Sequence, residues 1–151
     1  AKWNIITCHH SVFSPAKGRD FEYARKKWKP LFDKYNVDIV LNGHDHTYAR
    51  GHVPTISTNN DVENIGTMYI TSVSGPKQYP FDKQQILSYS KQGYQLDKSG
   101  EQTQFFQVIT VDENELTYVA YTALGEEYDR AIITKDFDTG QKKLWQVKKL
   151  D

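Results

Sequence analysis

Five histidines occur in the 151 residues, and four of them fall in two short motifs, Cys8-His9-His10-Ser11 and Asn42-Gly43-His44-Asp45-His46. Neutral imidazole is a good ligand for zinc, iron and manganese, so this pattern favours metal binding over proton shuttling. His44 and His46 are one residue apart, and an extended backbone projects both to the same side while turning Asp45 away. Asp45 is therefore expected to support the ligands from behind or to be structural. Gly43 lets the backbone bend tightly just before the pair. A lone His-x-His or a His-His doublet arises often by chance, so neither motif decides anything alone. Their combination does, because each follows a short apolar run with strand character. His52 lies outside both motifs and is expected at the surface.

The elements that must position these residues can be read from the same sequence. Residues 3–8, with Ile5, Ile6 and Thr7, read as a buried core strand. A loop over 9–19 contains Ser14-Pro15 and Gly18. Asp20 is the expected N-cap of a helix whose apolar face is Phe21, Ala24, Trp28, Leu31, Phe32 and Tyr35. Pro30 is expected to kink or split that helix, and Asn36 to stop it. Residues 37–41 read as a second buried strand, and strand–helix–strand implies a right-handed parallel crossover. Both histidine motifs then sit at the C-terminal ends of neighbouring parallel strands, the edge at which open α/β sheets bind ligands. His9 would supply a third nitrogen beside His44 and His46.

Beyond Asn42 the character changes. Residues 67–73 read as a strand, and 77–104, rich in Gln, Lys, Ser and Tyr, as a long surface excursion with a short helix around 84–89. Residues 105–111 and 116–122 flank Asp112-Glu113-Asn114-Glu115 as a hairpin, followed by turns at Gly125 and Asp138-Thr139-Gly140 and strands at 128–134 and 144–147. The expected class is α/β (α+β), one β-α-β crossover followed by mainly antiparallel strands. A single domain spans 1–151, with an α/β part at 1–75, the excursion at 76–104 and an antiparallel part at 105–151.

Lys+Arg and Asp+Glu are equal at 19 each, so charge offers no case for nucleic acid or an anionic membrane surface. No stretch reaches the roughly 18 apolar residues of a membrane span. The single cysteine, Cys8, excludes an internal disulfide and reads as a structural thiol. A start directly in a core strand suggests an excised segment, with Ala1 as a residual residue and any secretion signal lost upstream.

The run Leu41-Asn42-Gly43-His44-Asp45-His46-Thr47-Tyr48-Ala49-Arg50 resembles the Gly-His-x-His signature of calcineurin-like metallophosphoesterases, closest to the purple acid phosphatase branch. Residues 3–14 resemble that branch's strand ending in a ligand histidine, and 66–71 and 118–135 resemble its bacterial members. The resemblance implies the C-terminal half of a four-layer β-sandwich, with His9 and His44 on one divalent metal and His46 on the other. His10 falls at the variable neighbouring position, and His10 and Asp45 are candidates to stand behind the ligands. Two metal ions are implied for an intact protein, iron with zinc or manganese, together with hydrolysis of a phosphoester and a periplasmic or secreted location. The N-terminal Asp, Gly-Asp-x-x-Tyr and Gly-Asn-His motifs of the family do not occur here. The isolated chain is therefore expected to be inactive, to hold no metal firmly, to need a missing N-terminal half, and to self-associate through surface left uncovered. The alternative is a non-catalytic binding module built on the same fold.

Overall fold

The computed structural model describes residues 1–56 and 63–146. In chain order the elements are β1 (Ile5–Cys8), α1 (Glu22–Lys34), β2 (Ile39–Asn42), β3 (Tyr48–Ile56), β4 (Glu63–Thr71), α2 (Lys83–Ser90), β5 (Gln95–Gly100), β6 (Phe105–Asp112), β7 (Glu115–Thr122), β8 (Glu127–Lys135) and β9 (Lys142–Gln146). β1 and β2 pair in parallel, from Ile5 opposite Ile39 to Cys8 opposite Asn42, with α1 as the crossover. β2 is also parallel to β4, while β3 and β5 join antiparallel, giving the order β1-β2-β4-β3-β5. β6 to β9 form a second, wholly antiparallel sheet in sequence order. The α+β architecture, the crossover and the hairpin at Glu113-Asn114 agree with the sequence expectation. Val147, the end of the last expected strand, lies outside the described residues.

Alternation along the strands explains the layers. Ile39, Tyr48, Met68 and Ile70 of the first sheet pack against Phe105, Leu116, Tyr118, Ala131 and Ile133 of the second. The opposite face of the first sheet carries Val40, Val53 and Tyr69, covered by Val12 and Phe13 of the first loop, by Trp28 and Phe32 of α1, and by Ile86 and Tyr89 of α2. The strand around 67–71 is thus covered on both faces. Exposed large apolar side chains include Ile5 of β1 and, on the outer face of the second sheet, Phe106, Val108 and Trp145.

Two buried charge clusters cross between the sheets. Arg50 of β3 donates through Nε and a terminal nitrogen to both oxygens of Asp129 on β8, at 2.7 and 2.9 Å, and through the other to Asp97 on β5 at 3.0 Å. Tyr48 donates to Asp129 at 2.7 Å. Near the start of β2, Asp38 accepts from Lys135 at 2.9 and 3.0 Å, from Lys142 at 3.3 Å and from the Asn4 backbone N–H at 2.7 Å.

Several local expectations are corrected. β1 is the edge strand of its sheet, with Ile5 41% exposed, not a core strand. Phe21 caps α1 without a side-chain bond, because Asp20 is engaged by Arg25 at 2.6 Å instead. α1 continues through Pro30, which sits on its exposed side, where the carbonyl left without an N–H partner can be hydrated. Leu31 and Tyr35 are exposed, since the helix meets the sheet along the narrower stripe of Ala24, Trp28 and Phe32. Asn36 does stop the helix, in the left-handed conformation at φ 47°. β3 and β5 were not expected. The helix near 84–89 is α2, N-capped by Asp82, whose carboxylate accepts from the Gln84 and Gln85 N–H groups.

Candidate metal centre

Because Cys8 and Asn42 are register partners at the ends of β1 and β2, the two histidine motifs leave the sheet at one edge, side by side. His9 Nε2 and His44 Nδ1 stand 3.0 Å apart. The His10 ring lies 4.4 Å from that of His44 and 4.5 Å from that of Phe21, centroid to centroid. The structure thus brings His9, His10 and His44 together. His46 is held separately: its Nδ1 bonds the Lys77 carbonyl at 2.9 Å, and its ring lies 4.9 Å from that of Tyr79. A carbonyl only accepts, so Nδ1 carries the hydrogen and Nε2 keeps its lone pair free. Among the described residues His46 makes no ring contact or hydrogen bond with the other three, and no three His, Cys, Asp or Glu side chains converge on one point.

Two residues unmarked by the sequence reading shape this edge. Arg19 donates from Nε to Asp45 Oδ1 at 2.7 Å and touches His44 Nε2 with a terminal nitrogen. A guanidinium has no acceptor, so His44 accepts at Nε2 and its Nδ1–H donates to His9 Nε2. Burial first, and the Arg19 guanidinium second, hold His44 below the ordinary imidazole range, which favours the neutral form that ligates metals. Arg19 also lies 4.8 Å over the Tyr79 ring, with the Lys77 ammonium 5.1 Å from the same ring. Lys77 holds the Tyr79 phenol below its usual value. The only sequence trace of Arg19 was its place in the breaker loop beside Gly18.

Asp45 is fully buried, turned from the histidines toward Arg19, and its Oδ2 has no hydrogen-bond partner among the described residues. The tight bend falls on His44, with φ 62°, and not on Gly43. A Cβ at Gly43 would make only an ordinary contact of 3.7 Å with the His9 ring. Burial pushes the Cys8 thiol up, away from thiolate reactivity, in keeping with a structural role. His52 is buried rather than at the surface, and its Nδ1 lies 2.9 Å from Asp97.

The donor set can be tested against a metal ion by distance. Metal–nitrogen bonds of about 2.0–2.1 Å at tetrahedral or octahedral angles place two ligand nitrogens roughly 2.9–3.4 Å apart. The 3.0 Å spacing of His9 and His44 fits once an ion displaces the hydrogen between those nitrogens and the Arg19 contact to His44 Nε2 opens, and a Nδ1–H···O=C bond such as that of His46 is how ligand imidazoles are commonly oriented. Both half-sites present imidazole nitrogens, and among the described residues no carboxylate is positioned to bridge them.

Comparison with known proteins bears out the resemblance. No protein-family profile matches the chain. An uncharacterised protein of Mycobacterium tuberculosis is 42% identical over 53 residues, 33% of this chain and 10% of that protein. Purple acid phosphatase 3 of Arabidopsis thaliana is 26% identical over 125 residues, 83% of this chain and 30% of that protein. A solved purple acid phosphatase from yellow lupin (Lupinus luteus) seeds superposes with a TM-score of 0.63 at 20% identity, over 90% of this chain and 25% of its own. The chain therefore has the fold of the C-terminal region of purple acid phosphatases and spans a third or less of the length of these relatives.

Proposed function

We propose that this chain supplies the histidine half of a two-metal phosphoester hydrolase, with His9 and His44 ligating one ion and His46 the other. The observation that carries this reading is the 3.0 Å approach of the His9 and His44 nitrogens at adjacent parallel strand ends. The separate tethering of His46, with Nε2 free, supports its assignment to a second ion.

When bound, the ions would polarise the phosphoryl group and lower the pKa of water. The chain's own residues do the remaining work. His44 stays neutral against Arg19, Asp45 fixes the Arg19 guanidinium, and Arg19 and Lys77 give the mouth a positive rim for a phosphomonoester. Neutral histidines alone do not offset the repulsion of two cations a few ångströms apart, so bridging carboxylates must come from a longer protein.

The test is hydrolysis of an aryl phosphate with added zinc, iron or manganese. The 151-residue chain should show negligible turnover. A longer protein containing it should be active and should lose activity in His46→Ala. Turnover by the short chain that His46→Ala abolishes would overturn the need for the missing carboxylates. Inactivity of the longer, metal-loaded protein would favour the non-catalytic module.

A further inference from the structure

Metal sites are as good as the groups that hold their ligands still, and here one side chain reaches both histidine segments. Asn42 ends β2, two residues before His44, and is only 8% exposed. Its amide nitrogen donates to the Cys8 carbonyl at 3.0 Å, to the His10 carbonyl at 3.1 Å and to the Cys8 thiol at 3.1 Å. The two carbonyls belong to the residues on either side of His9. The neighbouring backbone continues the same seam: the Gly43 N–H donates to the His9 carbonyl at 3.1 Å, and Ser11 Oγ donates to the Gly43 carbonyl at 3.3 Å. Thr71 of β4 in turn donates to Ser11 at 3.0 Å.

We propose that Asn42 is a positioning residue that fixes the His9 backbone on both sides, so that the His9 imidazole meets that of His44 at the spacing of two ligands of one ion. This rests on the metal reading given above. The chemistry is specific to a carboxamide. An amide –NH2 offers two hydrogens to carbonyls that only accept, and a buried donor satisfied this fully has little freedom to turn. Asp at the same position is nearly isosteric but presents oxygen to two carbonyl oxygens. Ala leaves both carbonyls and the loop without the tie. No part of this seam uses His46, so the effect of Asn42 should be confined to the His9–His44 ion.

The experiment is zinc titration by calorimetry of a longer protein that contains this chain and supplies the missing carboxylates, in a double-mutant cycle. Asn42→Asp and Asn42→Ala should each weaken zinc binding by roughly 10–100-fold, the usual size of an effect on ligand orientation. In a His9→Ala background the same substitutions should have no further effect, whereas in a His46→Ala background the full loss should persist. Circular dichroism of each variant verifies that it is folded, and Asn42→Ser, which keeps one hydroxyl donor, should recover part of the affinity. An Asn42 effect that is unchanged in the His9→Ala background marks a general structural loss and overturns the proposal, as does wild-type affinity in folded Asn42→Asp. If His9→Ala itself leaves zinc binding intact, the metal reading fails, and that outcome is distinct from a failure at Asn42 alone.

Discussion

The two ends of β2 hold opposite kinds of polar cluster. At its start, Asp38 is fully buried with Lys135 and Lys142, and every strong donor has an acceptor. At its finish, His9 is exposed, His10, His44 and His46 are half-buried, and the one buried carboxylate, Asp45, is committed to Arg19 with one oxygen unpartnered. The first cluster joins β2 to the second sheet through β8 and β9. The second joins loops to one another and leaves the Nε2 lone pair of His46 free. Buried charges persist only when paired and hydrogen-bonded, so the lysine end reads as a fastening. Ligating groups must retain unfilled capacity, so the histidine end reads as a receptor. The four strand residues of β2, roughly 13 Å of extended chain, separate the two, far enough for each to be perturbed without the other.

The largest effect should come from Asp38→Ala. It removes the partner of two ammoniums and of the Asn4 N–H, leaving desolvated charge between the sheets. Breaking a buried ion pair this way costs about 3–5 kcal/mol, read as a lower urea midpoint. Zinc affinity of the variant that remains folded should match wild type. A parallel loss of zinc affinity would break the contrast, since the fastening would then also shape the receptor.

Next in size is a pH effect at the same end. Burial, partly opposed by Asp38, lowers the Lys142 pKa from 10.5 to about 8, with Lys135 and Asp33 also facing it. Between those values the unfolded chain binds a proton that the folded chain does not. The contribution of this group to stability is therefore complete above pH 10.5 and is lost as pH falls through about 8. At 1.36 kcal/mol per unit this amounts to roughly 3 kcal/mol. Lys142→Met should flatten the stability–pH curve across this window relative to wild type. Its lost bond to the Val37 carbonyl is tolerable because Thr67 still donates there at 2.9 Å. Parallel curves for the two proteins would show that Lys142 stays charged.

This contrast bears on what the sequence could reveal. The histidine end was legible because its chemistry is local: Gly-His-x-His and His-His are contiguous, and the strands before them are short apolar runs. Asp38, Lys135 and Lys142 are scattered over more than a hundred positions, and nothing about an isolated lysine in an alternating strand announces that it points inward. The same holds for Arg50, Asp97 and Asp129, and for His52, which looked like a surface residue because its partner Asp97 is remote in sequence. β3 was missed since Gly51, His52 and Pro54 interrupt its apolar pattern. β5 was missed because Gln95-Leu96-Asp97-Lys98-Ser99-Gly100 is polar, held by pairing with β3 rather than by burial. The outward Leu31 and Tyr35 show the converse limit, that periodicity marks an apolar face without saying how much of it finds cover.

The smallest expected effect on stability sharpens the contrast most, because it has the opposite sign. His44 has a φ of 62°, a left-handed conformation that costs a residue with a Cβ on the order of 1–2 kcal/mol relative to the right-handed region. Glycine occupies it freely but loses more entropy on folding, by roughly 0.5–1 kcal/mol. His44→Gly should therefore leave the fold unchanged or more stable by up to about 1 kcal/mol, after allowing for the His44 contacts with Arg19, His9 and His10. The same substitution removes one of the two paired ligands and should weaken zinc binding by far more than tenfold. A gain or neutrality in the urea midpoint together with loss of zinc would mark His44 as held in strain for its imidazole, as strained residues at functional sites commonly are. A fall in stability of 2 kcal/mol or so would instead mean that the histidine cluster itself fastens the loops, and the division between a fastening end and a receptor end of β2 would not hold.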